Sequence, residues 1–218
     1  MKFLGNPQSG SFRGDTSSRN RNGQYYRNRA TPVQPRTPDQ LNQRAIMANN
    51  AAAWRSLTDA QRAGWGSLGL SITRTDSLGQ TYTLTGFQAY CSVNNNLITA
   101  GDAAVSAAPA IVTPGSLLTA TITLTAASFS IAYTATPLAA SVRMLIFVSP
   151  QRSAGVSFNG DYRLLAVTAA AAASPHNALA AYTAKFGVPV VGNRLFLSLQ
   201  LYKGGFLGSP FNVSQVVA

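Results

Sequence analysis

Residues 17–36 read SSRNRNGQYYRNRATPVQPR, and this stretch sets the first limit on what the chain can fold into. It holds five arginines and the adjacent pair Tyr25-Tyr26, spaced by small polar residues. Its only aliphatic side chains apart from proline are Ala30 and Val33. So little apolar area cannot offset the entropy of ordering the backbone, so the segment is expected to be disordered in isolation. The charge is equally lopsided. Up to Arg62 there are ten Lys or Arg against Asp15, Asp39 and Asp59, which accounts for seven of the chain's eleven net positive charges. The core must therefore come from later residues, and whatever orders the basic segment must come from outside it.

A chain of 218 residues has room for one large or two small domains. Apolar residues at 46% suit a globular protein, whereas charged residues reach only 11%, with six aspartates and no glutamate. A pI near 10.5 points to nucleic acid, an acidic membrane surface or an acidic protein partner. So sparsely charged a surface also suits burial against neighbouring chains. Cys91 stands alone, which excludes an internal disulfide and a multi-cysteine metal site. The opening MKFLGNPQSG lacks the apolar run of a signal peptide, and Ala166 to Ala173 is too short to span a bilayer. A soluble protein made inside a cell is expected.

Three regions follow one another: an extended basic arm over residues 1–36, a small helical region with a β-hairpin over 37–102, and a β-sandwich over 103–218. The fold class expected is α+β. Helix starts are signalled three times. Thr37-Pro38-Asp39-Gln40 offers an N-cap, a proline at the first helical position, an acid near the positive dipole end and a capping-box glutamine. Thr58-Asp59-Ala60-Gln61 repeats the pattern for a short helix ending between Gly64 and Gly69, and Thr85-Gly86-Phe87-Gln88 opens a third that ends at Gly101. Between the last two, Leu70-Ser-Ile-Thr and Thr81-Tyr-Thr-Leu flank Asp76 to Gly79 as a hairpin.

Beyond residue 102 the apolar residues alternate. Six strands are expected: 118–125, 128–134, 142–148, 161–167, 194–202 and 211–217. A short helix interrupts them, capped by Ser174 with Pro175 following, and presenting Leu179, Tyr182 and Phe186 on one face. Many short strands separated by turns argue for an antiparallel sandwich of immunoglobulin or fibronectin type III kind, without the Cys–Trp–Cys frame of antibody domains.

The inventory is poor in catalytic chemistry. His176 is the only histidine and sits beside Ser174 in what reads as a first helical turn, where an imidazolium is disfavoured. Each aspartate fits a helix start, a turn or a segment edge, and no paired-carboxylate, metal or phosphate-loop spacing is present. No enzyme, cofactor or metal is expected. Cys91 falls on an apolar helical face, as an inert buried thiol does. Partner chemistry concentrates in the arm, where Arg13, Arg19, Arg21, Tyr25, Tyr26, Arg27, Arg29 and Arg36 are the candidate binding residues. Guanidinium forks suit carboxylates or phosphates, and the tyrosines stack on planar groups. Phe3, Leu4, Phe12 and the two tyrosines scatter apolar anchors through the arm, which favours grooves on a protein over a uniform phosphate backbone.

Several of these strings resemble a phage and prophage family of virion structural proteins. They are Ser18-Arg19-Asn20-Arg21, Gly23-Gln24-Tyr25-Tyr26-Arg27-Asn28-Arg29, Pro35-Arg36-Thr37-Pro38-Asp39-Gln40, and Ala53-Trp54, Leu57-Thr58, Ala60-Gln61-Arg62 and Trp65. Weaker similarity runs through Thr85 to Asn94, Arg163-Leu164-Leu165, Ala181-Tyr182 and Phe186-Gly187. The resemblance implies a phage structural protein located in the virion and made in a bacterial host's cytoplasm. A capsid cement or decoration protein is the expectation, with a tail or connector component, or a basic protein packaged with the genome, as alternatives. The expected partners are the major capsid protein or other virion proteins with an acidic or grooved surface, or further copies of the chain. Nucleic acid ranks below these, and no membrane is expected.

Overall fold

A computed structural model describes residues 9–20, 23–31, 33–75, 79–134 and 136–218. The chain divides into two compact units, Met1–Asn42 and Gln43–Ala218. In the first, where the sequence suggests an extended arm, residues pair into an antiparallel sheet: β1 (Gly10–Phe12), β2 (Asp15–Asn20) and β3 (Gly23–Asn28), in that order. The two-residue turn Arg13-Gly14 joins β1 to β2, with Arg13 at φ 52. An amide of Arg29 donating to the Gly14 carbonyl over 2.6 Å extends the pairing past β3. No described residue of this unit is buried.

Helix α1 (Pro38–Arg55) begins as its cap signals demand, the Gln40 amide donating to Thr37 Oγ1 over 3.4 Å. From Gln43 onward it belongs to the second unit, with Ile46 and Asn50 buried. Trp54 meets Phe87 and Tyr90 with ring centroids 5.7 and 5.4 Å apart. Helices α2 (Asp59–Ser71) and α3 (Gly86–Thr99) both carry complete capping boxes: the Thr58 and Thr85 hydroxyls accept from the amides of Gln61 and Gln88, whose side chains accept in return. Strands β4 (Thr73–Thr75) and β5 (Thr81–Thr83) form the hairpin between them. Its expected turn residue Asp76 lies outside the described residues.

The second helix is longer than expected. It runs through Gly64, Gly66 and Gly69 to Ser71, so Leu70 and Ser71 are helical rather than hairpin. Of these Gly69 is a tight contact residue, as is Gly86 at the start of α3, whereas a Cβ on Gly66 would meet nothing within 4 Å. A Cβ on Gly69 would lie 2.5 Å from the Leu84 carbonyl oxygen, and one on Gly86 would lie 2.9 Å from the Gly66 nitrogen. Backbone meets backbone there, and the packing outweighs the roughly 1 kcal/mol that a helical glycine costs against alanine.

All six expected strands form, with ends shifted by one or two residues, and three short ones join them. In order they are β6 (Thr119–Thr125), β7 (Ser128–Thr134), β8 (Arg143–Val148), β9 (Arg152–Ser153), β10 (Arg163–Val167), β11 (His176–Asn177), β12 (Asn193–Lys203), β13 (Phe206–Leu207) and β14 (Phe211–Val216), with α4 (Leu179–Phe186) between β11 and β12. One antiparallel sheet runs β10-β8-β12-β13, with β9 and β14 also on β12; a second runs β11-β7-β6. Met144, Ile146 and Val148 of β8 and Leu195, Leu197, Leu199 and Leu201 of β12 share a core with Ile122, Leu124, Phe129 and Ile131 of the smaller sheet. The alternate residues Leu145, Phe147 and Tyr202 face the other way, into a second core with Trp65, Tyr90, Val93 and Leu97 of the helices. A strand apolar at nearly every position, as β8 is, is what a sheet covered on both faces requires. The register shift between Leu164 and Ala166 in β10 lets Leu165 and Ala166 join the first core while Leu164 and Val167 join the second.

The helix expected to start at Ser174 begins at Leu179 instead. The Ser174 hydroxyl accepts from the Tyr133 amide over 2.9 Å, and its own amide donates to Thr136 Oγ1 over 2.8 Å, so it serves the neighbouring segment rather than a cap. Residues 176–177 pair with β7, and Asn177 Oδ1 accepts from the Leu179 amide over 3.0 Å. Leu179, Tyr182 and Phe186 do pack into the first core.

Candidate partner-binding surface

Strand pairing decides how the candidate residues are presented, because directly opposed residues of an antiparallel ladder point to the same face. The register sets Phe12, Asp15 and Asn28 in one row, Gly10, Ser17 and Tyr26 in a second, and Arg19 with Gln24 in a third, all on one face. The opposite face carries Ser11, Thr16 and Arg27 in one row and Ser18 with Tyr25 in another. Side-chain bonds agree with this division. Ser11 and Thr16 hydroxyls lie 2.9 Å apart, and Gln24 Nε2 donates to Ser17 Oγ over 3.2 Å.

The eight candidate residues are therefore not one cluster. Arg19 and Tyr26 share a face, Tyr25 and Arg27 share the other, Arg29 follows β3, and Arg36 precedes α1 at φ 52. Arg21 lies outside the described residues, as do the anchors Phe3 and Leu4. Arg13 occupies the β1–β2 turn with its Cζ 5.4 Å from the Phe12 ring centroid, a cation–π contact that leans its charge over the Phe12 face. Phe12 is 76% exposed and Tyr26 41%. Sequence reading counts Phe12 among the arm's apolar anchors, and the register sets it in the row of Asp15 and Asn28. Among the described residues no carboxylate pairs with Arg13, Arg19, Arg27, Arg29 or Arg36, whereas Asp59, Asp102 and Asp161 of the second unit all hold arginines.

Polar groups in the second unit serve the packing. Asp102 takes Arg143 Nη2 at 2.8 Å on one carboxylate oxygen and the Tyr202 hydroxyl at 2.6 Å on the other. Arg143 also donates to the Ala100 carbonyl at the end of α3, where a cation complements the helix dipole. Burial first, and then the bond to Asp102, push the Tyr202 hydroxyl far above its usual range. Asn94, fully buried on α3, donates to the Val105 carbonyl over 3.2 Å and accepts from its amide over 2.7 Å; Trp65 Nε1 donates to the Ser106 carbonyl over 2.8 Å. These bonds hold residues 105–106 to the helices. Burial raises the Cys91 thiol and lowers the half-buried His176. Among the described residues no three His, Cys, Asp or Glu side chains converge, and no helix is long and apolar enough to cross a membrane.

No protein-family model, curated protein or solved structure matches this chain.

Proposed function

We propose that this chain is a non-enzymatic structural component of a phage virion, a capsid cement or decoration protein that grips the shell through its N-terminal residues. The observation that carries the reading is the contrast between the two units. Gln43–Ala218 holds two apolar cores, while the described part of Met1–Asn42 has three paired strands, five arginines without a carboxylate and no buried residue. Among the described residues these three strands have no apolar core, and a small sheet without one is not independently stable, so a partner must complete them. A ligand that binds only the assembled lattice stabilises that lattice by its binding free energy, which is what a cement does. The similarity of the Ser18–Trp65 strings to phage virion proteins points the same way. On this reading the two sheets that share a core form a sandwich of immunoglobulin or fibronectin kind, standing outward from the shell or filling a gap in it.

The test is deletion of residues 1–36. The shortened protein should remain folded, with unchanged thermal unfolding of the remainder, and should no longer sediment with DNA-free capsids that bind the full chain. Undiminished sedimentation would place the contact on the second unit and refute the grip. Full-length protein found only on tails, or released from particles by nuclease, would favour the connector or genome-binding alternative.

A further inference from the structure

The register of the N-terminal sheet separates its two faces chemically. One carries Phe12, Tyr26 and Arg19, with Arg13 stacked on the Phe12 ring; the other carries hydroxyls, the half-buried Tyr25 and one cation, Arg27. On the first face the two aromatics stand on the outer strands in neighbouring rows, with Asp15 beside Phe12 and Ser17 beside Tyr26 on the central strand. Two strand spacings separate those outer strands, about 10 Å. The result is a mixed face, two aromatics set diagonally across it and guanidinium groups near its ends.

Resting on the virion reading above, we propose that this sheet docks by the Phe12–Tyr26 face alone, onto an acidic protein surface. Arg13 and Arg19 meet carboxylates there, while Phe12 and Tyr26 take up apolar contact. Charge complementarity selects the partner's sign, since the exposed arginines of this unit far outnumber its acids and none of them pairs with a described carboxylate. The mixture selects a protein over nucleic acid. Aromatics and arginine are the side chains enriched at protein interfaces. A surface that tracks phosphates needs its cations aligned, and here Arg19 and Arg27 point to opposite faces. A face about 20 Å long and 15 Å wide is roughly 300 Å², well under the ~800 Å² per partner of a stable pairwise complex. Each contact is then weak alone, and an array of partners supplies the avidity.

Two charge reversals test the face. Arg19→Glu and Arg27→Glu make the same change at exposed fifth positions of the six-residue strands β2 and β3, on opposite faces, so the change in net charge affects both alike. Binding of the full chain to DNA-free capsids, read by co-sedimentation, should fall at least tenfold for R19E and less than threefold for R27E. Phe12→Ser should behave like R19E. Equal losses for R19E and R27E, or a larger loss for R27E, would overturn the choice of face while leaving the virion reading standing. Wild-type protein that ignores capsids but binds duplex DNA with a steep salt dependence would overturn both.

Discussion

Asn94 offers the sharpest test of how the helices are joined to the sheet region. Its side chain is fully buried and makes two bonds to one residue, receiving the Val105 amide at 2.7 Å and donating to the Val105 carbonyl at 3.2 Å. Replacing it with alanine leaves both backbone groups unsatisfied, at about 1–1.5 kcal/mol each, so Asn94→Ala should cost roughly 2–3 kcal/mol. Asn94→Asp keeps the shape and separates the two bonds. Its oxygen can still receive the amide, but an ionised carboxylate sets a second oxygen against the Val105 carbonyl at a fully buried side chain. Burial and that opposed dipole raise the folded-state pKa above the unfolded value near 3.9.

A raised pKa means that the stability of the aspartate variant is retained at low pH, where the protonated acid donates as the amide did, and is lost as pH rises through the folded pKa. An upward shift of two to three units gives a deficit of about 3–4 kcal/mol at pH 8, shrinking towards zero near pH 4. Urea unfolding followed by the fluorescence of buried Trp65, with wild type and variant compared at each pH, isolates the effect from the other aspartates. A deficit that stays flat from pH 4 to pH 8, or an Asn94→Asp protein as stable as wild type at pH 8, would refute the clamp.

Among the described residues the Tyr182 hydroxyl is buried without a hydrogen-bond partner, and burial pushes its pKa up to about 12, so Tyr182→Phe should leave thermal stability unchanged or raise it by about 1–2 kcal/mol; a clear loss would mean that the hydroxyl is satisfied. Gly69→Ala improves helix propensity by about 1 kcal/mol, yet its Cβ meets the Leu84 carbonyl oxygen at 2.5 Å and the Thr85 carbonyl oxygen at 3.0 Å. The overpacking should dominate and destabilise by about 2 kcal/mol, measured as a lower urea midpoint. A stabilised Gly69→Ala protein would show that α2 can move away from residues 84–85.

What could be read from the sequence was what local chemistry decides. The capping boxes at Thr58 and Thr85 were legible because donor and acceptor lie three residues apart, and the six main strands were legible from alternation. Ser174 misled because its hydroxyl answers to Tyr133, 41 residues away, rather than to the next turn. The end of α2 misled because Gly66 and Gly69 look like breakers until Gly86 and the Leu84 carbonyl are set against them. The N-terminal sheet was missed since polar residues occupy both faces and no apolar period marks a strand. Arg13-Gly14 and Asn22-Gly23 were the available turn signals. The candidate residues were legible by type, but their division between two faces depends on a register that composition does not contain.

The close backbone contacts at Gly69 and Gly86 also bear on how this protein changes over evolutionary time. Exposed arginines of the first unit can be exchanged and re-placed as a partner's surface drifts, and apolar core residues can trade volume with one another. A site where the neighbour is a carbonyl or an amide has no side chain to compensate, so the permitted alphabet shrinks to a single letter. Distant descendants of the same ancestor should therefore keep this glycine pair, 17 residues apart, long after the arginine-rich strings have become unrecognisable. For this fold the durable signature is a pattern of missing side chains.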